Sequence, residues 1–263
     1  MKHEIRIFFT ALMFYTRIPC PSWVGHKEEH INQSTRYFPL IGWIVGGISA
    51  LVFLAGYFLF DMYTGLALSM AASILTTGAF HEDGFADMCD GFGGGWTKEK
   101  ILLIMKDSRM GAYGVIGIFL LLLTKFLILA HLFQLQEIHP VFVILVFTNA
   151  HALSRFAAST FIFTHVYVRD APDSKAKPVA KQINLSNLMI GGFFVLVPIA
   201  MLVYVTQQVE IVAVCLPVYL MKMYLGRYFS KWIGGYTGDC LGATQQLCEI
   251  VFYLSLAIVW KFI

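Results

Sequence analysis

Six of the sixteen acidic residues fall between 82 and 107, and four of them crowd into the run GAFHEDGFADMCDGFGGGW as Glu82, Asp83, Asp87 and Asp90. Asp83, Asp87 and Asp90 stand at i, i+4 and i+7, positions that a helix places on one face. Carboxylates that close together repel one another, the more so beside a low-dielectric medium. A divalent cation removes the conflict. An all-oxygen donor set without a His/Cys pair suits magnesium, with manganese as a substitute, better than zinc, and the lack of an EF-hand loop disfavours calcium. The competing account is a hydrated helix face with nothing bound. Gly84 and Gly91, which permit close approach of a backbone or a substrate, weigh against it. His81, just ahead of the run, suits acid/base work or a place in the core equally.

Two further segments carry chemistry. WTKEKILLIMKDSRMGAYG sets Lys98, Lys100, Lys106 and Arg109 around Asp107. Its apolar strip, Ile101, Leu102, Ile104 and Met105, predicts an amphipathic helix lying on lipid headgroups. Lys106 and Arg109 are then placed to neutralise phosphate oxygens, whereas attraction to anionic lipid accounts for Lys98 and Lys100. GGYTGDCLGATQQ combines Gly234, Gly235, Gly238 and Gly242 with Thr237 and Asp239. Such a loop can wrap a phosphate with backbone amides while Asp239 reaches a metal or a substrate hydroxyl. A plain glycine-rich turn before a helix is the alternative. Arg155, in the inner half of an apolar segment, is placed to reach the same site. Lys125 and Glu249 also lie within apolar segments, where a charge needs a partner or a wet cavity.

The elements that must position these residues are membrane helices. With 58% hydrophobic and 13% charged residues and a mean hydropathy of +0.69, the chain has lipid rather than water as its solvent. An all-α, polytopic bundle follows. Stretches long enough to span occur at 37–60, 64–80, 113–133, 140–164, 184–206, 209–225 and 243–263. The second and sixth are short, so six spans plus a re-entrant or interfacial segment is the alternative. The run 5–18, with Arg6 and Arg17, suits a helix at the membrane surface.

Lys and Arg number five in 1–36, four in 81–112, four in 165–183 and two in 226–242, and none in the turns 61–63, 134–139 and 207–208. Positive charge accumulates on the cytoplasmic side, which puts the N-terminus and the candidate site inside and the C-terminus outside. The connector 165–183 reads as solvated. Lys2 and Arg6 precede an apolar run, but Arg17 and the missing small-residue cleavage site argue against a removed leader. The five scattered cysteines show no C-x-x-C spacing, which disfavours zinc or redox chemistry. A net charge of +3 without a basic aromatic stripe gives no support for nucleic-acid binding. No repeat or linker divides the chain, so residues 1–263 read as one domain. A homo-oligomer is compatible with the sequence.

LMFYTRIPCP, RYFPLIGWIVG, FHEDGFADMCDGFGGG, IMKDSRMGAYG and YTGDCLGA, spread over most of the chain, together resemble the cobalamin synthase family of adenosylcobinamide-GDP ribazoletransferases. The resemblance implies a bacterial inner-membrane enzyme that joins adenosylcobinamide-GDP to α-ribazole or its 5′-phosphate and releases GMP, with magnesium held by Asp83, Asp87, Asp90 and Glu82. Position 82 departs from the pattern, because many relatives carry an apolar residue there. Lys106 and Arg109 would balance charge on the leaving group, and Asp107 or Asp239 would serve as base. The D-x-x-D-G stretch from Asp87 to Gly91 is similar to that of the CDP-alcohol phosphotransferases, but their A-R pair is missing. A secondary transporter is a rival of another class, disfavoured because no paired broken helices are evident.

Overall fold

The computed structural model describes residues 2–25, 28–135, 138–168 and 184–262. Among these residues there are eleven α-helices, and the only β feature is an isolated bridge between Tyr167 and Tyr236. Helix α1 (Lys2–Tyr15) and the short α2 (Glu28–Ser34) precede α3 (Phe38–Leu59). Pro39 sits in the first turn of α3, where a missing N–H costs nothing. Asp61 caps α4 (Met62–Thr77) by accepting from the Thr64 amide at 2.9 Å. Then follow α5 (Phe80–Gly94), α6 (Lys98–Ile104), α7 (Ala112–Gln134), α8 (Pro140–Thr164), α9 (Leu185–Thr206), α10 (Cys215–Ile233) and α11 (Gly238–Phe262).

Six helical segments are long and apolar enough to cross a membrane, and the bent pair α4–α5 makes a seventh candidate. The helical bundle expected from the sequence is present, with three changes. The second span does not run straight over 64–80. It stops at Thr77, Gly78 and Ala79 adopt left-handed φ values of 67° and 58°, and the chain turns by 89° into α5. Hydropathy does not register this reversal, because it scores transfer out of water and not the direction of the backbone. The sixth span is not short, since the 3-10 turn Val209–Val214 runs on into α10 and the segment reaches Ile233. The last helix begins at Gly238, five residues before the apolar stretch that announced it.

Helix α1 is docked rather than merely resting on lipid. Ala11, Leu12 and Tyr15 cluster with Phe38, Ile41 and Val45 of α3. Glu4 forms an ion pair with Arg36 at 2.8 Å and accepts a hydrogen bond from the Tyr37 hydroxyl at 2.8 Å. Only 28% of the span windows of α7 and α9 is buried, against 83% for α8 and 72% for α11. The outer pair therefore faces lipid, while α8 and α11 form the centre. The connector expected over 165–183 is described only as far as Val168, so Arg169–Lys181 with their charges lie outside the described residues.

Small residues set the helix spacing. A Cβ at Gly42 would stand 2.6 Å from the His151 carbonyl oxygen, and one at Gly46 2.8 Å from that of Phe147. This four-residue glycine spacing lets α3 lie against the backbone of α8. Without a hydrophobic driving force between helices inside lipid, such close van der Waals contact supplies much of the association. We expect Gly46→Leu to force α3 off α8 and to destabilise the folded protein by about 1–3 kcal/mol, or more where neither backbone yields. Thermal unfolding in detergent, compared with Gly47→Leu at a position with open space, measures the effect.

Candidate active site

The site grows from the contact between α5 and the first turns of α11. A Cβ at Gly84 would lie 3.0 Å from the Asp239 Cα, and one at Gly242 would lie 3.1 Å from the His81 carbonyl oxygen and 3.4 Å from the Gly84 Cα. Two glycines thus let the two backbones touch, and the approach brings Asp83 and Asp87, which flank Gly84, to the same crossing as Asp239. Asp83 is exposed, and Asp87 and Asp239 are half-buried. These three carboxylates, drawn from two helices about 150 residues apart in sequence, are the candidate acidic face of the site.

The four-carboxylate set expected on one helix face does not assemble. Among the described residues, no three His, Cys, Asp or Glu side chains gather within reach of one metal ion. Asp90 turns inward and accepts from the Gly111 amide at 2.6 Å and the Gly114 amide at 2.8 Å. It therefore satisfies the free amides that open α7, where the helix dipole favours an anion. Glu82 is buried and accepts from Gln246 Nε2 at 2.8 Å. The reason is that α5 is packed on two sides, by α7 and by α11, so a helical face defined by spacing alone is divided between neighbours. The remaining oxygen donors still fit magnesium, which commonly takes one or two carboxylates and completes its shell with water and substrate phosphate.

The basic and loop residues divide similarly. Arg109 is exposed, and its guanidinium forms a forked pair with Asp107, with contacts of 2.7 to 3.2 Å. The Arg109 hydrogen bonds hold the Asp107 carboxyl down at about 2, which makes it a weak proton acceptor and an orienter of Arg109. Lys106 is exposed nearby. Ile101, Leu102 and Met105 of the strip on α6 pack against protein. Ile101 and Met105 are buried in a cluster with Phe161, Phe229 and Ile233, because seven residues wedged between α5 and α10 find protein on the apolar side. Thr237 is fully buried and its hydroxyl accepts from the Cys240 amide at 3.3 Å, the capping role that opens α11. Gly235 abuts the Val166 carbonyl, so the glycine loop is packed against protein, and Gly238 is its open position. His81 is buried, stacks on Phe38 with centroids 5.7 Å apart, and lines a cavity of about 40 Å³ together with Gly238 and Gly242. That is room for a water.

Arg155 does not reach the acidic face. It is fully buried, donates from Nη1 to the His151 carbonyl at 3.1 Å, and lies 5.7 Å from the Phe38 ring centroid. Lys125 of α7 pairs with Glu249 of α11. Gln245 Nε2 donates to Glu249 Oε2 at 2.8 Å, and His151 Nδ1 stands 3.5 Å from the same oxygen. The sequence reading passed over His151, Gln245, Gln246 and Tyr253. For all but Gln246 a signal is present, because His151–Arg155 and Gln245–Glu249–Tyr253 recur at four-residue spacing within largely apolar helices. His81 Nε2, Glu82 Oε2, His151 Nε2, Arg155 Nε, Gln245 Oε1 and Gln246 Oε1 are buried without a protein partner. Ordered water is what commonly satisfies such buried polar atoms.

Fold and site together define a multi-pass helical membrane protein whose broken second span carries carboxylates to the start of its last helix. The chain belongs to the cobalamin-5-phosphate synthase family, whose model matches residues 7–257. It is 42% identical to the adenosylcobinamide-GDP ribazoletransferase of Shewanella frigidimarina over 259 residues, covering 97% of this chain and 95% of the relative. Identity is 39% with the protein of that name from Leptospira biflexa, covering 98% and 97%, and 40% with that from Leptothrix cholodnii, also covering 98% and 97%. No solved structure matches the chain.

Two outcomes follow from the geometry. Asp90→Ala, which strips the opening of α7 of its acceptor, should lower stability by about 0.5–2 kcal/mol, read as a drop in melting temperature. Lys125→Met should cost about 3–5 kcal/mol by leaving the buried Glu249 without its lysine cation. The double variant Lys125→Met/Glu249→Leu should recover much of that loss, and a double variant no more stable than the single one would contradict the pairing.

Proposed function

We propose that this chain is the membrane transferase that joins adenosylcobinamide-GDP to α-ribazole or its 5′-phosphate and releases GMP, closing the synthesis of cobalamin. The observation that carries the reading is the Gly84–Asp239 approach. It brings together two of the motifs by which the chain resembles its family, FHEDGFADMCDGFGGG and YTGDCLGA, and so makes one carboxylate face from both.

The reaction is an in-line displacement at phosphorus. The ribose 3′-hydroxyl oxygen of α-ribazole attacks the phosphorus attached to cobinamide, the bond from that phosphorus to the bridging oxygen breaks, and GMP leaves with that oxygen. Asp83 and Asp87 would hold magnesium, which when bound neutralises diphosphate oxygens. Asp239 accepts the hydroxyl proton, a role that the strongly paired Asp107 fills poorly. Arg109, oriented by Asp107, and Lys106 bind the phosphate oxygens of the leaving nucleotide. His81 stands behind this face beside the small cavity and acts on the position of α11 rather than on phosphorus. The distribution of Lys and Arg supports a site facing the cytoplasm across a bacterial inner membrane. The CDP-alcohol and transporter readings gain nothing comparable. The single broken helix has no second broken helix opposite it among the described residues.

Purified protein given adenosylcobinamide-GDP, α-ribazole and magnesium should yield GMP and a cobalamin of matching mass in equal amounts. Asp83→Asn, Asp87→Asn and Asp239→Asn should each lower turnover roughly hundred- to thousand-fold at unchanged melting temperature. In the first two variants, added magnesium should restore part of the rate. Full turnover in all three variants would remove the basis of the assignment.

A further inference from the structure

Away from the α5–α11 crossing, a cavity of about 750 Å³ opens where α9 and α10 each lie against α8. Its size falls within the range of small-molecule pockets, roughly 300–1,000 Å³. The lining is graded. Leu153 and Phe156 of α8 and Val218 of α10 make one end apolar, while Thr164, His165 and Lys222 gather at the other.

Lys222 is the informative residue. It is 5% exposed, sits in a membrane-spanning segment, and forms no ion pair among the described residues. Its ammonium donates to Thr164 Oγ1 at 3.0 Å and lies 5.0 Å from the Phe161 ring centroid. A lysine offers three donors, and a charge inside lipid without a counter-charge is costly. Thr164 in turn meets His165 Nδ1 at 2.7 Å. The hydrogen bond to Thr164 explains the position of Lys222, but it does not explain an amphipathic cavity leading away from it.

We propose that this cavity holds one anionic membrane phospholipid, its phosphate on Lys222, Thr164 and His165 and an acyl chain directed towards Leu153 and Val218. The polarity of the cavity supports this occupant. Its polar end lies where α8 leaves the membrane, and its apolar end lies deeper in the bundle, which is how a phospholipid sits in a leaflet. A free phosphate would satisfy Lys222 and leave the apolar end empty, and a neutral lipid would do the reverse.

The test is native mass spectrometry of the full chain, stripped of lipid in detergent and titrated with phosphatidylglycerol, phosphatidylcholine or inorganic phosphate. One phosphatidylglycerol per chain should remain bound, neither phosphatidylcholine nor inorganic phosphate should displace it, and Lys222→Arg should retain it. Lys222→Met should weaken binding roughly tenfold or more, the loss of one charge-assisted contact. Leu188→Trp, which narrows the cavity from its α9 wall and leaves Lys222 in place, should weaken it too, so the proposal stays testable if Lys222→Met does not fold. Equal binding of both lipids, displacement by inorganic phosphate, several lipids held without saturation, or undiminished binding by both Lys222→Met and Leu188→Trp would overturn it. No nucleotide substrate is present, so the result is independent of the transferase assay.

Discussion

The constraint on which the site depends is the contact of the α5 backbone with the α11 backbone at Gly84, Asp239 and Gly242. Side chains larger than hydrogen at these glycines would hold the helices apart, and the Asp83–Asp87 pair would then face water without Asp239. The bend at Gly78 and Ala79 serves the same contact, because it redirects the second span from its packing on α3 towards α11 and α7. Ala79 accepts a left-handed backbone that costs an alanine about 1–2 kcal/mol. Strain at that point is held by the surrounding packing, including the Arg17 amide, which donates to the Thr76 carbonyl at 2.7 Å.

Beneath the acidic face, a connected set of buried polar groups fixes how four helices meet. Lys125 ties α7 to Glu249 on α11, His151 and Arg155 bring in α8, and Gln246 reaches Glu82 on α5. Buried ion pairs are weak sources of stability, since desolvation offsets most of their attraction. Their value lies in register. An apolar seam between two helices tolerates a shift of one turn, whereas a buried carboxylate that has lost its cation does not. Around Arg155 and Glu249 several buried polar atoms have no protein partner, the kind of group that ordered water commonly satisfies.

Embedding in lipid gives the chain two environments. The α5–α11 crossing exposes the Asp83 carboxylate to water, and the Asp107–Arg109 pair ahead of α7 is exposed as well. The α8–α10 side is apolar apart from the Lys222 end, as contact with a lipid requires. Helix α8 links them, because it carries His151 and Arg155 on one side and Thr160 and Thr164 on the other.

Composition and period were enough to establish a lipid-embedded helical bundle, because long apolar runs have no other stable form in a membrane. The five motifs were enough for the family, and local spacing correctly placed Asp83 and Asp87 on one helix. What sequence spacing does not contain is which neighbour covers each side of that helix. Asp90 and Asp83 share a face by count, yet Asp90 meets the opening of α7 while Asp83 meets water. Arg155 and Thr237 have the residue types of phosphate ligands, and the fold uses them for core packing and helix capping. Asp239 joins the carboxylates only because two distant glycines let backbones touch. Local sequence determines which groups a helix offers, whereas the packing of its neighbours determines which remain available for chemistry, since a buried polar group must bond to whatever lies beside it.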